Sequence, residues 1–373
     1  MPIKQHLPPC DGRQESHETV REIDAVIAWV DGSDAQHLAS RLKHSAGRRR
    51  PSSARFADSG EIYYCIASIL KYAPFIRRIW IVSDAQSPKF LPEFAEAGLC
   101  EPDFIQVVDH TELLSDFTEA LPTFNSRTIE AVLWRIPGLS ERFVYFNDDF
   151  FANRPLRPEE FFVDGRPVLR GERARPERKL MKSRIRRLMR TLGFRGPKVR
   201  PTFRLAQELS ANHVGVAGNF MMIGHHPHPM RRSVQEAFFA ARPELLREQV
   251  RHRFRDIAQY SPVALANHLE IVGHGATYRK PVKVAYVKPG PKGSGRRFLG
   301  HIRNETTPFG CIQNLEKFEA DAFRVVRRLM REKLGKFLPS TIELTEVPEE
   351  SRRVAEKRAA ANAGLQTGYP AAE

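Results

Sequence analysis

Short apolar runs alternate with helical periodicity over the first 150 residues of the chain. Ile23-Asp-Ala-Val-Ile-Ala-Trp-Val30, Arg78-Ile-Trp-Ile-Val-Ser83, Phe104-Ile-Gln-Val-Val108 and Arg142 to Phe146 are rich in β-branched and aromatic residues. Each predicts a buried strand. Glu61 to Tyr72 places Ile62, Cys65, Ile66, Ile69 and Leu70 on one helical face, and Pro74 ends it. Pro88 to Ala97 predicts a short helix. Asn125 to Ile136 predicts a longer one, with Ile129, Val132, Leu133 and Ile136 as its stripe and Pro137-Gly138 as its stop.

Strands alternating with helices predict an α/β layer around a mainly parallel sheet. Ligands of such sheets bind at the carboxyl ends of the strands. Asp31, Asp84, Asp109 and the pair Asp148-Asp149 stand at those ends. Each alone is equally a turn or helix-cap residue. Convergence of several on one edge points to a cation and phosphate site. The pair is the sharpest signal, since adjacent carboxylates beside a core are costly unless a cation compensates them.

The pattern changes after residue 163. Residues 164–204 read as a basic insertion, in which Leu180, Met181, Ile185, Leu188, Met189 and Leu192 give Arg178 to Phe194 the period of an amphipathic helix with a cationic face. Residues 205–347 read as a largely helical remainder of the catalytic unit. Val234 to Phe254 and Leu315 to Phe337 are its longest helical candidates, and Val282 to Val287 is a candidate strand. Residues 1–21 and 348–373 are expected to be flexible ends around a core at 22–163.

Composition narrows the functional class. The net charge is +15, and fifteen Lys or Arg against two acids between Arg166 and Arg204 account for nearly all of it. The basicity belongs to one segment, which argues against a nucleic-acid reader. That segment either docks at anionic membrane, holds an acidic polymer, or is a solvated face. The 373 residues contain four scattered cysteines and no CxxC, so neither a disulfide framework nor a zinc site is expected. There is no signal-peptide pattern and no apolar stretch of membrane-spanning length, and a cytoplasmic setting is expected, with peripheral contact at the inner membrane face as an open role.

Four segments add chemistry. They are Ile23 to Asp34; Arg55-Phe-Ala-Asp through Tyr72 to Gln86, Leu121-Pro-Thr-Phe-Asn-Ser-Arg-Thr-Ile-Glu130 and Tyr145-Phe-Asn-Asp-Asp149; Gly224-His-His-Pro-His-Pro-Met-Arg-Arg-Ser233 with Arg253-Phe-Arg-Asp256; and Cys311-Ile-Gln-Asn314 with Phe337-Leu-Pro-Ser-Thr-Ile-Glu343. Their order and wording resemble the Stealth family. These are sugar-1-phosphate transferases of bacterial capsule synthesis, related to the lysosomal-enzyme GlcNAc-1-phosphotransferase. The resemblance implies a glycosyltransferase-A-like (Rossmann-like) core, a nucleotide-sugar donor, a glycan acceptor, and Mg²⁺ or Mn²⁺.

It also implies site residues. Asp149 is the essential member of the pair, and Asp148 and Asp149 are the metal candidates. Glu130, His225 and Arg255 fall on active-site positions. Hard carboxylate oxygens suit the metal, a guanidinium fork suits the transferred phosphate, and a neutral imidazole suits a base that takes the acceptor proton. Three histidines in His225-His-Pro-His228 could suggest zinc, but Pro227 and Pro229 exclude the helical ligand pair. Trp29, Asp31, Gly32 and Asp34 match the part of the core at the nucleotide. Asp84, Asn125, Ser126, Arg127 and His228 complete the substrate-binding candidates, with Asn125 or Ser126 equally readable as a plain N-cap. One departure stands out: the family's Asn-Asp after the fourth-segment Cys is Gln313-Asn314 here. Two other readings stay open, a metal-dependent glycosyltransferase releasing a nucleoside diphosphate and a non-catalytic polyanion- or membrane-binding protein.

Overall fold

The structure, a computed structural model, describes residues 22–45, 59–177, 202–289 and 294–342. The expected helix at 178–194 and both chain ends lie outside the described residues.

The sheet at the centre has five strands. β1 (Ile23–Ala28), β2 (Ile76–Ser83), β3 (Ile105–Asp109) and β4 (Arg142–Asn147) run parallel, in the order β4-β1-β2-β3. Thus the mainly parallel α/β sheet expected from the alternation is present. Side chains alternate across it as a two-residue period demands. Ile23, Ala25 and Ile27 of β1, with Val144 and Phe146 of β4, enter one core with the helix Glu61–Tyr72. Val26 of β1, with Phe143 and Tyr145 of β4, enters a second core on the opposite face. Asp24 interrupts that second face. Its fully buried carboxylate accepts from Arg77 Nε (2.9 Å) and Nη2 (2.7 Å), Trp80 Nε1 (2.9 Å) and the Ser140 N–H (2.9 Å), so the charge is fully partnered.

The pair Asp148-Asp149 is a two-residue link. It connects β4 to β5 (Phe150–Ala152), which belongs to another sheet. In chain order the further strands are β6 (Phe162–Val163), β7 (Arg166–Arg170), β8 (Glu172–Ala174), β9 (Phe220–Met222), β10 (His228–Arg231), β11 (Thr277–Arg279), β12 (Val284–Val287) and β13 (Phe309–Ile312). β10 closes the main sheet antiparallel to β4, and β13 pairs antiparallel with β5 and parallel with β12. The carboxylates are thereby held at a junction of two sheets. Gly310 of β13 faces Phe151, and a Cβ there would lie 2.0 Å from the Phe151 ring. Gly310→Ala is therefore expected to overpack the junction and destabilise the protein by about 1–3 kcal/mol, read as a lowered midpoint in thermal or urea unfolding.

Four expectations change. The helix over Asn125 to Ile136 is a short helix, Ser126–Glu130, followed by a 3-10 turn at Leu133–Arg135. Ala131, Val132 and Leu133 are all fully buried, so this stretch has no polar face with which to continue an amphipathic helix. Val234 to Phe254 is two helices, Arg232–Ala240 and Pro243–Val250, because Pro243 starts a new one at its first position. Leu315 to Phe337 divides into the turn Leu315–Lys317, the helix Ala320–Leu334 and the turn Gly335–Phe337. Part of the basic stretch at 164–204 is sheet: β7 pairs with β6 and β11, and β8 with β9.

Candidate active site

A cavity of about 460 Å³ opens along the carboxyl ends of β1 to β4. Its wall brings together Trp29, Asn125, Ser126, Glu130, Asp148, Asp149 and Arg255 from the expected set. Among the described residues lining it, Arg255 is the one Lys or Arg.

The acidic end follows from the β4–β5 link. Burial pushes the pKa values of both Asp148 and Asp149 above the usual carboxylate range, and the neighbouring Asp149 charge adds to the rise at Asp148. Asp149 Oδ2 accepts from Cys311 Sγ at 3.4 Å, while Asp149 Oδ1 is buried without a hydrogen-bond partner. Two carboxylates so placed fit a hard cation, which would neutralise their repulsion and satisfy Oδ1. Among the described residues no group of three or more His, Cys, Asp or Glu is arranged to hold a metal. Asp148 and Asp149 are the wall residues that could hold a hard cation such as Mg²⁺ or Mn²⁺.

Across from the pair stands the helix Ser126–Glu130. Asn125 caps it, accepting from the Arg127 N–H at 3.2 Å and donating to the His252 carbonyl and Gln259 Oε1, both at 2.8 Å. The cap aims Ser126 and Glu130 at the cavity. Arg255 Nη2 donates to Ser126 Oγ at 2.7 Å. Burial raises the Glu130 pKa, opposed chiefly by the Arg255 and Arg127 guanidinium groups. Arg127 itself is buried off the cavity wall, with Nη1 3.5 Å from the Asp256 carbonyl and Nη2 3.4 Å from that of Thr202.

The β1–β3 end is different in kind. Asp34 caps the helix Ala35–His44, accepting from the His37 N–H at 2.8 Å. Asp31 folds back on Ser33, accepting from its N–H at 2.8 Å and its hydroxyl at 2.6 Å, and Gly32 is buried in the same turn. Asp109 makes a capping box with Glu112. Asp84 instead bridges two histidines, with Oδ2 2.9 Å from His37 Nδ1 and Oδ1 3.7 Å from His110 Nδ1. Neither Asp31, Gly32, Asp34 nor Asp84 lies on the cavity wall, whereas His37 and His110 do.

His225 sits outside the cavity lining, on an exposed position among aromatic rings. Phe203 stacks on it at 5.3 Å, Tyr286 at 5.8 Å, and Phe150 meets it edge-on at 6.5 Å. The crowding and the nearby Lys288 ammonium lower its pKa, which favours neutral imidazole. Tyr286 ties this stack to the cavity by donating its hydroxyl to Gln313 Oε1 at 2.5 Å. His228 lies on β10, fully buried opposite Tyr145, with Nε2 3.2 Å from the Gly224 carbonyl. It does not reach the cavity.

Several wall residues escaped sequence reasoning. Glu61 and Glu316 are buried carboxylates on the wall, and Glu316 follows the departing pair Gln313-Asn314 by two residues. Its charge contributes to raising the Asp148 pKa. Hence the region that lacks the family's Asp still brings a carboxylate to the site. Tyr145, whose hydroxyl donates to Asn147 Oδ1 at 2.8 Å, was hidden in a strand pattern. His110 follows Asp109 at a strand end, a signal of the same kind as Asp84.

Parts of the chain are similar to known proteins. Residues 21–48 match the model for Stealth protein conserved region 1, and residues 55–168 that for conserved region 2. A capsular polysaccharide phosphotransferase of Actinobacillus pleuropneumoniae is 42% identical over 146 residues, 38% of each chain. An exopolysaccharide phosphotransferase of Streptomyces coelicolor is 29% identical over 337 residues, 83% of this chain and 32% of that one. The chain thus spans well under half the length of these relatives. Among solved structures, the galactosyltransferase LgtC, complexed with donor and acceptor sugar analogs, aligns with a TM-score of 0.42 at 15% identity, covering 88% of this chain and 99% of that one. The chain thus carries the Stealth protein's conserved regions 1 and 2 in order, and Trp29 of the first meets Glu61, Glu130, Asp148 and Asp149 of the second on one cavity.

Proposed function

We propose that the chain transfers a sugar 1-phosphate from a nucleotide sugar to a glycan hydroxyl, in the synthesis of capsule or another surface polysaccharide. The observation that carries this is the single cavity on which Asp148, Asp149, Glu130 and Arg255 meet. Carboxylates for a divalent cation opposite a guanidinium suit a phosphate in transfer, where charge neutralisation and alignment dominate. The phosphotransferase relatives support the same reading.

In this reading the acceptor oxygen attacks the phosphorus that carries the sugar. The bond from that phosphorus to the bridging oxygen breaks, and a nucleoside monophosphate leaves. His225, at the rim, takes the hydroxyl proton. Arg255, fixed by Ser126, holds a phosphate oxygen, and Asp148 with Asp149 would hold the cation, which would supply positive charge to the phosphate oxygens. Glu130 stands beside the Ser126–Arg255 unit on the wall, where the Arg255 guanidinium is the chief charge favouring its ionised form. Among the described residues no helix is long and apolar enough to cross a membrane. We place the reaction in the cytoplasm, where nucleotide sugars are available, with the polymer acceptor at the inner membrane face.

The test is incubation with a panel of nucleotide sugars, an oligosaccharide acceptor and Mg²⁺ or Mn²⁺, with the released nucleotide identified. A monophosphate is expected. Release of a diphosphate would indicate glycosyl transfer, and no turnover across the panel would leave a binding role.

A further inference from the structure

Among the described residues eight large apolar side chains are exposed, and three of them, Ile271 (39%), Val272 (51%) and Tyr278 (54%), fall within eight consecutive positions. Exposed apolar residues scattered singly need no explanation, whereas a cluster marks an interaction surface. The backbone holds these side chains out on a fixed support. Every residue of the helix Pro262–Leu269 is buried, and that helix runs straight into the π-helical turn Glu270–His274. Gly275 ends the turn with a φ of 62°, which glycine adopts without strain. The Ala276 N–H donates to the Glu270 carbonyl at 3.2 Å, and Arg166 Nη1 donates to the Gly275 carbonyl at 3.3 Å. Tyr278, on the edge strand β11, donates its hydroxyl to the Gly171 carbonyl at 2.6 Å.

The charge on this segment has one sign. From Ile271 to Lys288 the chain carries Arg279, Lys280, Lys283 and Lys288 and no Asp or Glu. All four cations are exposed, and none is ion-paired with a described residue. The acid just before the segment, Glu270, is buried and already accepts from Arg231 Nε at 2.9 Å and Nη2 at 2.8 Å.

The partner must therefore offer apolar depth and negative charge together. A soluble polyanion offers charge alone and leaves Ile271 and Val272 in water. A second copy in a two-fold contact sets these cations against their own duplicates. An anionic bilayer offers both: aliphatic and aromatic side chains enter at headgroup depth, while Lys and Arg meet the lipid phosphates.

We propose that the Glu270–His274 turn and β11 form a docking surface for an anionic lipid bilayer, with Ile271, Val272 and Tyr278 inserted and Arg279, Lys280 and Lys283 at the headgroups. The same segment continues into β12, where Tyr286 stacks on His225. Docking here holds that stack close to the membrane surface. The surface needs none of the transfer chemistry proposed above.

The experiment is co-sedimentation of the purified chain with vesicles of phosphatidylcholine, alone or with equimolar phosphatidylglycerol. The chain is expected to sediment with the anionic vesicles and to stay in solution with the neutral ones. Ile271→Ser with Val272→Ser removes the inserted aliphatic surface and is expected to weaken binding roughly ten-fold or more. Arg279→Gln, Lys280→Gln and Lys283→Gln together are expected to weaken it by roughly five-fold per charge removed. These side chains are exposed, so the variants are expected to keep the wild-type thermal midpoint. Val272→Trp keeps the surface apolar and gives a second readout: its added emission is expected to shift to shorter wavelength on anionic vesicles. Absence of wild-type binding, or equal binding to neutral vesicles, would overturn the surface. So would an unshifted Val272→Trp emission in the bound chain. Binding unchanged in the folded Ile271–Val272 variant would also overturn it, by assigning the contact to charge alone. A concentration-dependent dimer lost in that variant, without vesicle binding, would give the surface to a second copy instead.

Discussion

Asp149→Ala is expected to reduce the proposed sugar-phosphate transfer by about a thousand-fold or more, the scale of losing a principal electrostatic element of a transition state. Asp149 is the residue whose Oδ1 lacks a partner while Oδ2 is pinned by Cys311. It is thus oriented without being satisfied, as a ligand awaiting a cation is. The fold is expected to survive. Burial raises the Asp149 pKa, so the native state bears a cost for the charged carboxylate. Removing it should leave the thermal midpoint in metal-free buffer unchanged or raised. Asp149→Asn keeps the volume and should be nearly as inactive. Turnover near wild type in either variant would remove Asp149 from the site, and a collapse of the midpoint would make its role structural.

His225→Ala is expected to lower kcat by about a hundred- to ten-thousand-fold, the range of general acid–base catalysis. The pH dependence gives a sharper check. A base must be neutral to accept the proton, and crowding plus Lys288 lowers its pKa. With Mg²⁺ saturating, so that Asp148 and Asp149 stay ionised despite their raised pKa values, the wild-type rate should therefore hold down through the ordinary histidine range and fall only at lower pH. Lys288→Gln removes the cation that disfavours imidazolium, so the acid limb should move to higher pH. An acid limb unmoved by Lys288→Gln, or one retained in His225→Ala, would assign the proton to another group. The Phe203 and Tyr286 stack bears on the same point, since it fixes the plane of the His225 ring.

The sheet was legible because β1, β2 and β4 are largely buried on both faces and read as apolar runs, while the edge strand β3, with Val107 exposed, was read from its β-branched residues. All four parallel strands fall within two residues of their expected limits at the start and end. The helices were less legible. At Ala131 to Leu133 the chain is buried on every side, and periodicity carries no information where there is no polar face. The carboxyl-end acids were found as a set, but sequence does not distinguish one that caps from one that faces a ligand. Asp34 and Asp109 spend their oxygens on backbone N–H groups, whereas Asp148 and Asp149 lie on the cavity wall. Glu61, Glu316 and His110 were illegible for a different reason. They reach the wall only through pairings distant in sequence, such as the Leu315 N–H that donates to Glu61 Oε1 at 3.2 Å. His225 carries the reverse lesson: a motif located it, but only the structure shows it stacked 5.8 Å from Tyr286 and outside the cavity lining.

The most direct measurement follows the phosphorus. A UDP-sugar labelled at its β-phosphate is incubated with the chain, a glycan acceptor and Mg²⁺ or Mn²⁺, and the label is traced. The account predicts label in the glycan, as a phosphodiester, with unlabelled UMP released in equal amount. Label recovered in released UDP, with an unlabelled sugar on the acceptor, would contradict it.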